Sequence, residues 1–244
     1  MNFIFKQKAI RCFTIRPDEI HIWSVYLPNN ERYINYLFSI LSEDEQERAR
    51  SFIFFKNQKQ FIIARGILRC LLASYLKTPP QTIEIMYGLW GKPCLSQEKS
   101  LYFNVSHSEN WALYALTSYY EVGIDLEIID KTLELEDMAL SLFSLAELVH
   151  WKTLKLEDKI NSFFKHWACK EAFLKASGKG WFDGEKKMPF NIKWEKENNL
   201  LIHELVYPHC FESIPGYTSA LYVEGPPLHP FYYTWNPDFL QEKA

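Results

Sequence analysis

The sequence predicts an α+β fold, and three observations carry that expectation. Short segments of alternating polarity recur at Glu19–Tyr26, Ala112–Thr117 and Glu121–Ile129, the period of a strand with one buried face. Two long helical patterns lie among them, at about Lys59–Leu76 and about Lys159–Ser177. Each of these helices carries basic residues, Arg65 and Arg69 in one, Lys170 and Lys175 in the other. Each is followed by a late strand of like texture, Trp111-Ala112-Leu113-Tyr114-Ala115 and Ser219-Ala220-Leu221-Tyr222-Val223. Chance produces this much likeness, so it stands as a hint of two similar subdomains, 1–119 and 120–244.

Taken in order, Glu19–Tyr26 alternates as a strand. Ser42 opens a helix with Asp44 and Glu45 in its first turn, where a cap and the helix dipole favour them. The second helix stops before Thr78-Pro79-Pro80. Strands are expected at Ile83–Tyr87, Leu101–Val105, Ala112–Thr117 and Glu121–Ile129. The stretch Lys131–Lys159 reads as a charged, partly helical, mobile excursion. The long helix that follows ends at Gly178-Lys179-Gly180, where glycine supplies a left-handed cap. Strands at Phe190–Trp194, Leu201–Leu205 and Ser219–Val223 and a proline-rich tail complete the pattern.

The 244 residues are 48% hydrophobic and 23% charged, with a net charge of −3. That is the composition of a folded chain with a large core, not of a disordered one. A slightly negative chain lacks the positive field that phosphate neutralisation demands, so no nucleic-acid partner is expected. No run of about 18 uncharged apolar residues spans a membrane. Lys6 and Lys8 follow Phe3–Phe5 too closely for a signal segment, so the expected location is the cytoplasm. Five scattered cysteines without paired spacing read as free, mostly buried thiols.

Val122-Gly123-Ile124-Asp125-Leu126-Glu127-Ile128 is the strongest local feature. Alternation puts Asp125 and Glu127 on one strand face, about 7 Å apart by the strand rise. Oxygen donors at that spacing suit Mg²⁺ or Mn²⁺ rather than zinc. Taken alone, an ordinary strand with a polar outer face is the commoner explanation. Glu171, in Trp167-Ala168-Cys169-Lys170-Glu171-Ala172-Phe173-Leu174-Lys175, is less ordinary. Its helical neighbours include Phe164, Trp167 and Leu174, and a carboxylate in an apolar stripe is costly unless something positive meets it. A plain i,i+4 pair with Lys175 explains an exposed carboxylate well and an embedded one badly. Lys92 in the turn Gly91-Lys92-Pro93, the segment Asn104-Val105-Ser106-His107-Ser108, and the helical Arg48, Arg65 and Arg69 are each ordinary alone. There is no Walker loop, no GxGxxG and no GxSxG.

In this order and spacing, FNVSHS (Phe103–Ser108), VGIDLE (Val122–Glu127) and WACKEAFLKASGKG (Trp167–Gly180) resemble the 4′-phosphopantetheinyl transferases of the surfactin-synthetase-activating type. ARGILR (Ala64–Arg69) and Gly91-Lys92-Pro93 fit the same pattern, so the resemblance covers roughly residues 20 to 225.

The resemblance implies a pseudo-dimeric fold of two α+β halves with the active site in the cleft between them. It implies transfer of the phosphopantetheine arm from coenzyme A to a serine of an apo acyl or peptidyl carrier protein, releasing adenosine 3′,5′-bisphosphate. Carried over, Asp125, Glu127 and Glu171 would hold Mg²⁺ (or Mn²⁺) together with the coenzyme A pyrophosphate. Glu171, directly or through a water, would take the serine proton, and Lys175 would pair with the phosphate and steady the leaving group. Arg48, Arg65, Lys92, Asn104, Ser106, His107 and Lys175 would contact coenzyme A. A chain with both halves completes its own site, so a monomer is expected.

Three features depart from the family pattern. Glu45 sits where a basic residue is common, Leu89-Trp90 is bulky, and the Lys131–Lys159 stretch near the expected carrier contact is partly acidic. A Mg²⁺-dependent nuclease would use similar carboxylates but needs a basic stripe. A coenzyme A- or carrier-binding module would need no carboxylate triad.

Overall fold

The computed structural model describes residues 12–96, 100–178 and 208–243. Among these described residues, nine strands and six α-helices run in the order β1 (Glu19–Tyr26), α1 (Ile34–Ser39), α2 (Glu43–Arg50), α3 (Phe55–Leu76), β2 (Ile85–Tyr87), β3 (Pro93–Leu95), β4 (Tyr102–Ser108), β5 (Trp111–Thr117), β6 (Val122–Ile128), α4 (Glu136–Leu142), α5 (Leu145–Lys152), α6 (Leu156–Ser177), β7 (His209–Phe211), β8 (Tyr217–Val223) and β9 (His229–Thr234). The strands expected at Phe190–Trp194 and Leu201–Leu205 lie outside the described residues.

Two sheets dominate. The first has the order β4-β5-β1-β9 and the second β6-β8-β7; β2 and β3 form a separate hairpin. Strand β5 lies antiparallel between β4 and β1, and β8 lies antiparallel between β7 and β6. The path β1–α3–β4–β5 therefore has the same connectivity as β6–α6–β7–β8. Both helices span 22 residues and end on a left-handed residue, Lys77 (φ 56°) and Gly178 (φ 64°).

Alternation on β1 and β5 divides the core. Trp23, Val25, Ala112, Tyr114 and Leu116 pack with Ile63, Ile67 and Leu71 of α3. Ile20, Ile22, Leu113 and Ala115 face the other way, onto Val122, Ile124 and Leu126 of β6 and Leu221 and Val223 of β8. The far face of the second sheet meets α6 through Ala168, Cys169, Ala172 and Ala220. The layers thus run α3, first sheet, second sheet, α6.

Several expectations need correction. The Lys131–Lys159 stretch is not a loose excursion: α4 and α5 enclose their own core of Leu135, Leu142, Phe143 and Trp151 against Phe163 and Phe164 of α6. Lys170 is buried beneath this cap, donating to Leu142 O and lying 3.4 Å from Glu147 Oε2. The proline-rich tail contains β9, which pairs in parallel with β1. Pro230 is tolerated there because β9 is an edge strand. The cysteines are free, but only Cys70 and Cys169 are buried, while Cys12 and Cys94 are exposed. Strand β2 starts two residues late because Pro80–Thr82 forms a 3₁₀ turn.

Candidate functional site

The two sheets meet along a seam made by side chains rather than by a backbone ladder. Asn104 Oδ1, Ser106 Oγ and Ser108 Oγ, alternate residues on β4, accept the backbone N–H groups of Ile124 (2.9 Å), Leu126 (3.2 Å) and Ile128 (3.1 Å). The period of two puts all three on one side of β4, and the same period matches them to the edge of β6. The polar run that sequence reading took for ligand donors is first a joint.

Asp125 stands beside this joint. Its Oδ1 accepts from Ser106 Oγ at 3.0 Å and from Lys175 Nζ at 2.5 Å, and Lys175 also donates to Ser106 Oγ at 3.0 Å. Asp125 is buried and its Oδ2 has no hydrogen-bond partner. A buried carboxylate oxygen left unpaired costs free energy, so Asp125 Oδ2 is the acceptor here that a donor or a cation would satisfy.

Alternation turns Gly123, Asp125 and Glu127 toward α6. A Cβ on Gly123 would lie 1.8 Å from Ala172 O, so only glycine lets β6 lie against the helix backbone. That contact brings the carboxylates within reach of α6 side chains. Trp167 Nε1 donates to Glu127 Oε1 at 2.9 Å. Desolvation first, then the charge of Asp125 and more weakly that of Glu171, raise the Glu127 pKa to about 7, against the Trp167 bond and Lys175. Glu171, half-buried on α6, thus lies close enough to join the same field.

Asp125, Glu127, Glu171 and Lys175 are accordingly brought together. Among the described residues no group of three or more acidic, histidine or cysteine side chains is placed to hold a metal ion. The oxygen-only donors, the unpaired Asp125 Oδ2 and a Glu127 raised first by desolvation and then by the Asp125 charge nevertheless suit a hard divalent cation.

The other expected contacts are more dispersed. His107 is exposed on β4, yet desolvation of its ring by the surrounding chain and then the Lys175 charge lower its pKa. Lys92 donates to Glu121 Oε2 (2.5 Å), Val122 O (3.2 Å) and Ala176 O (2.8 Å), pinning the hairpin turn to the start of β6 and the end of α6. Asn104 is buried in the seam. Arg48, exposed, and Arg65, largely buried, place their guanidinium carbons 5.2 and 5.9 Å from the Phe61 ring centroid, and Arg65 also lies over Tyr87. Leu89 and Trp90 project into solvent from the hairpin tip.

Glu45 is accounted for locally. It is buried, caps α2 through Ser42 N (3.1 Å), meets Arg69 Nε at 2.5 Å and lies 3.6 Å from Arg65 Nε. Arg69 in turn donates to Pro80 O and Ile83 O, which fixes the turn after α3. The acidic residue serves the interior rather than an outside anion.

Sequence reading missed three roles: Gly123 as a spacer, Ser106 as a hub for Asp125 and Lys175, and Trp167 as a donor to Glu127. A glycine inside a strand signals a close approach, and Asn104, Ser106 and Ser108 share the strand period. Nothing in the sequence marked which way the Trp167 indole points.

Residues 25–118 match the family described as 4′-phosphopantetheinyl transferase, N-terminal, and residues 121–223 match the 4′-phosphopantetheinyl transferase superfamily. The chain is 40% identical over 170 residues to the 4′-phosphopantetheinyl transferase HetI of Nostoc sp. strain PCC 7120, covering 68% of this chain and 72% of that protein. It is 27% identical to the 4′-phosphopantetheinyl transferase gsp of Aneurinibacillus migulanus, covering 79% and 82%. It is 25% identical to the 4′-phosphopantetheinyl transferase Sfp of Bacillus subtilis strain 168, covering 81% and 86%.

Proposed function

This chain belongs to the 4′-phosphopantetheinyl transferase superfamily, enzymes that move the phosphopantetheine group from coenzyme A to carrier proteins, and from that premise we propose how its own residues carry out the transfer. The proposal extends to the surfactin-synthetase-activating type, to two similar halves divided at 119/120 with β9 returning to the first sheet, and to a catalytic site between them. The shared connectivity of β1–α3–β4–β5 and β6–α6–β7–β8 supports the halves. The single observation that carries the catalytic reading is the Asp125–Ser106–Lys175 contact at the seam, with Asp125 Oδ2 unpaired.

In the transfer, the oxygen of a carrier serine bonds to the phosphorus that bears the pantetheine arm. The bond from that phosphorus to the oxygen of adenosine 3′,5′-bisphosphate breaks, and the serine proton leaves to a base. Glu171, directly or through a water, is the base, because a serine hydroxyl is a weak nucleophile without one. Lys175 sits beside Asp125 and can swing to the departing phosphate, whose growing negative charge it stabilises. Asp125, Glu127 and Glu171 would hold Mg²⁺ or Mn²⁺. A cation so held supplies charge neutralisation on the pyrophosphate. Exposed Arg48 and His107, with Arg65, contact the coenzyme A phosphates and adenosine. Lys92, Asn104 and Ser106 serve that subsite by fixing the hairpin and the seam. The enzyme acts as a cytoplasmic monomer on an acyl or peptidyl carrier, without nucleic acid or membrane; no helix among the described residues is long and apolar enough to cross one.

The test is intact-mass spectrometry of an apo carrier protein incubated with this chain, coenzyme A and Mg²⁺, with and without EDTA. A mass gain of one phosphopantetheine arm, lost in EDTA, is expected. A gain that EDTA leaves untouched would contradict the cation assignment, and no gain on acyl and peptidyl carriers alike would contradict the substrate assignment.

A further inference from the structure

We propose that the Trp167 indole N–H is the positioning group that holds Glu127 ready for a divalent cation and ties it to the α4–α5 cap. The proposal rests on the reading of Asp125, Glu127 and Glu171 as cation ligands.

Two attachments of Trp167 carry the inference. Its Nε1 donates to Glu127 Oε1 at 2.9 Å. Its ring stacks on Phe163 at 6.3 Å with a 29° interplanar angle and packs against the cap cluster of Leu135, Leu142, Phe143 and Trp151. The indole therefore reaches from the core beneath α4 and α5 to the carboxylate end of β6. Trp167 also lies one turn before Glu171 on α6, on the same side of the helix, so one helix face carries a ligand and the donor that orients another.

Glu127 needs such a donor. A glutamate side chain has three rotatable torsions, and fixing it when a cation arrives costs conformational entropy. A bond from a rigid, packed ring meets that cost in advance. Because the N–H engages Oε1, Oε2 stays available. The bond also steadies the charged carboxylate against the repulsion of Asp125, and hydrogen bonds to ionised groups are the strong ones. A purely structural tryptophan would need the ring alone, and Trp167→Phe separates the two roles by keeping the ring in the Phe163 stack while removing the donor.

The experiment titrates MgCl₂, and MnCl₂ as a second probe, into the full wild-type chain and into Trp167→Phe by isothermal calorimetry, without coenzyme A. Both affinities are expected to fall about tenfold in the variant, the worth of a hydrogen bond to a charged group, with the fold retained by far-ultraviolet circular dichroism. An independent reading uses ¹⁵N-indole nuclear magnetic resonance: the cross-peak missing from Trp167→Phe identifies Trp167, and it is expected to move in Glu127→Gln. Wild-type binding that Trp167→Phe leaves intact, or an indole peak blind to Glu127→Gln, would overturn this proposal alone. A wild-type chain that binds neither ion, with coenzyme A absent or present, would remove the cation reading and this proposal with it.

Discussion

Lys175 on α6 reaches across to β6 and meets Asp125, Nζ to Oδ1 at 2.5 Å, although Glu171 lies one turn away on its own helix. Burial explains the direction. Asp125 is 2% exposed, and an ionised carboxylate in that setting needs a cation far more than a half-exposed glutamate does. Ser106 completes the arrangement by donating to Asp125 and accepting from Lys175, so β4, β6 and α6 are joined at one point. Three elements that the sequence separates by 69 positions share a single charged contact.

Gly123 sets the depth of that contact. With a Cβ 1.8 Å from Ala172 O and 2.4 Å from Ala176 N, Gly123→Ala has to push α6 away from β6. Overpacking of this kind costs about 1–3 kcal/mol or more. Gly123→Ala is expected to lower the thermal midpoint and to slow transfer more than the stability loss explains, because the carboxylates separate from Lys175. Gly91→Ala offers the comparison, since its Cβ would meet nothing within 4 Å and only its positive φ resists the change. Circular-dichroism melts paired with transfer rates check both.

Glu127 gives a pH dependence with a definite sign. Its pKa is raised to about 7 in the cation-free chain, so below that pH protons compete with a cation for the carboxylate. Divalent-cation affinity is expected to rise with pH up to about 7 and then to level off. Calorimetry at pH 6 in buffers of different ionisation enthalpy should show proton release on binding, and Glu127→Gln should abolish it. In the absence of cation, the same raised pKa means that Glu127 favours the folded state below its ordinary range, a contribution lost as pH rises through about 7.

Two histidines, the buried His166 and the half-buried His209, act in the opposite sense. Burial lowers the pKa of His166 and of His209 to about 4, so both stay neutral in the folded chain where the unfolded chain takes up protons. Their contribution is complete above about 6.5 and is lost as pH falls from there toward 4. Urea unfolding at pH 7 and pH 5 should show a loss of about 1–2 kcal/mol for each group. His209→Phe should remove its share, since the His209 Nε2 atom has no partner to lose.

Much of this arrangement was legible in the sequence. Alternation located β6 and the face that Asp125 and Glu127 share, and the apolar surroundings of Glu171 marked it as unusual. The proline pair after Leu76 and Gly178 marked the ends of the long helices. What stayed hidden depended on contacts distant in sequence. β9 was masked by Pro226, Pro227 and Pro230, because an edge strand tolerates proline that a central strand would not. The α4–α5 cap looked loose because charged residues are scattered among its apolar ones in sequence, yet those apolar residues converge on Phe163 and Phe164. Glu45 was read as a departure at the coenzyme A phosphate; the buried Arg69 that it pairs with lies 24 residues on. Lys92, expected as a phosphate ligand, donates in the ligand-free chain to two main-chain carbonyls and Glu121 that only the fold brings to it.

The most direct measurement is the single-turnover rate of arm transfer to an apo carrier protein, followed by intact mass, for wild type, Asp125→Ala and Glu171→Gln. Coenzyme A binding and far-ultraviolet circular dichroism are recorded on the same samples. The account predicts folded variants that still bind coenzyme A and transfer at least about a hundredfold more slowly, the scale on which losing a transition-state contact or a general base is felt. Transfer at the wild-type rate by either variant would contradict the assignment of the seam as the catalytic site.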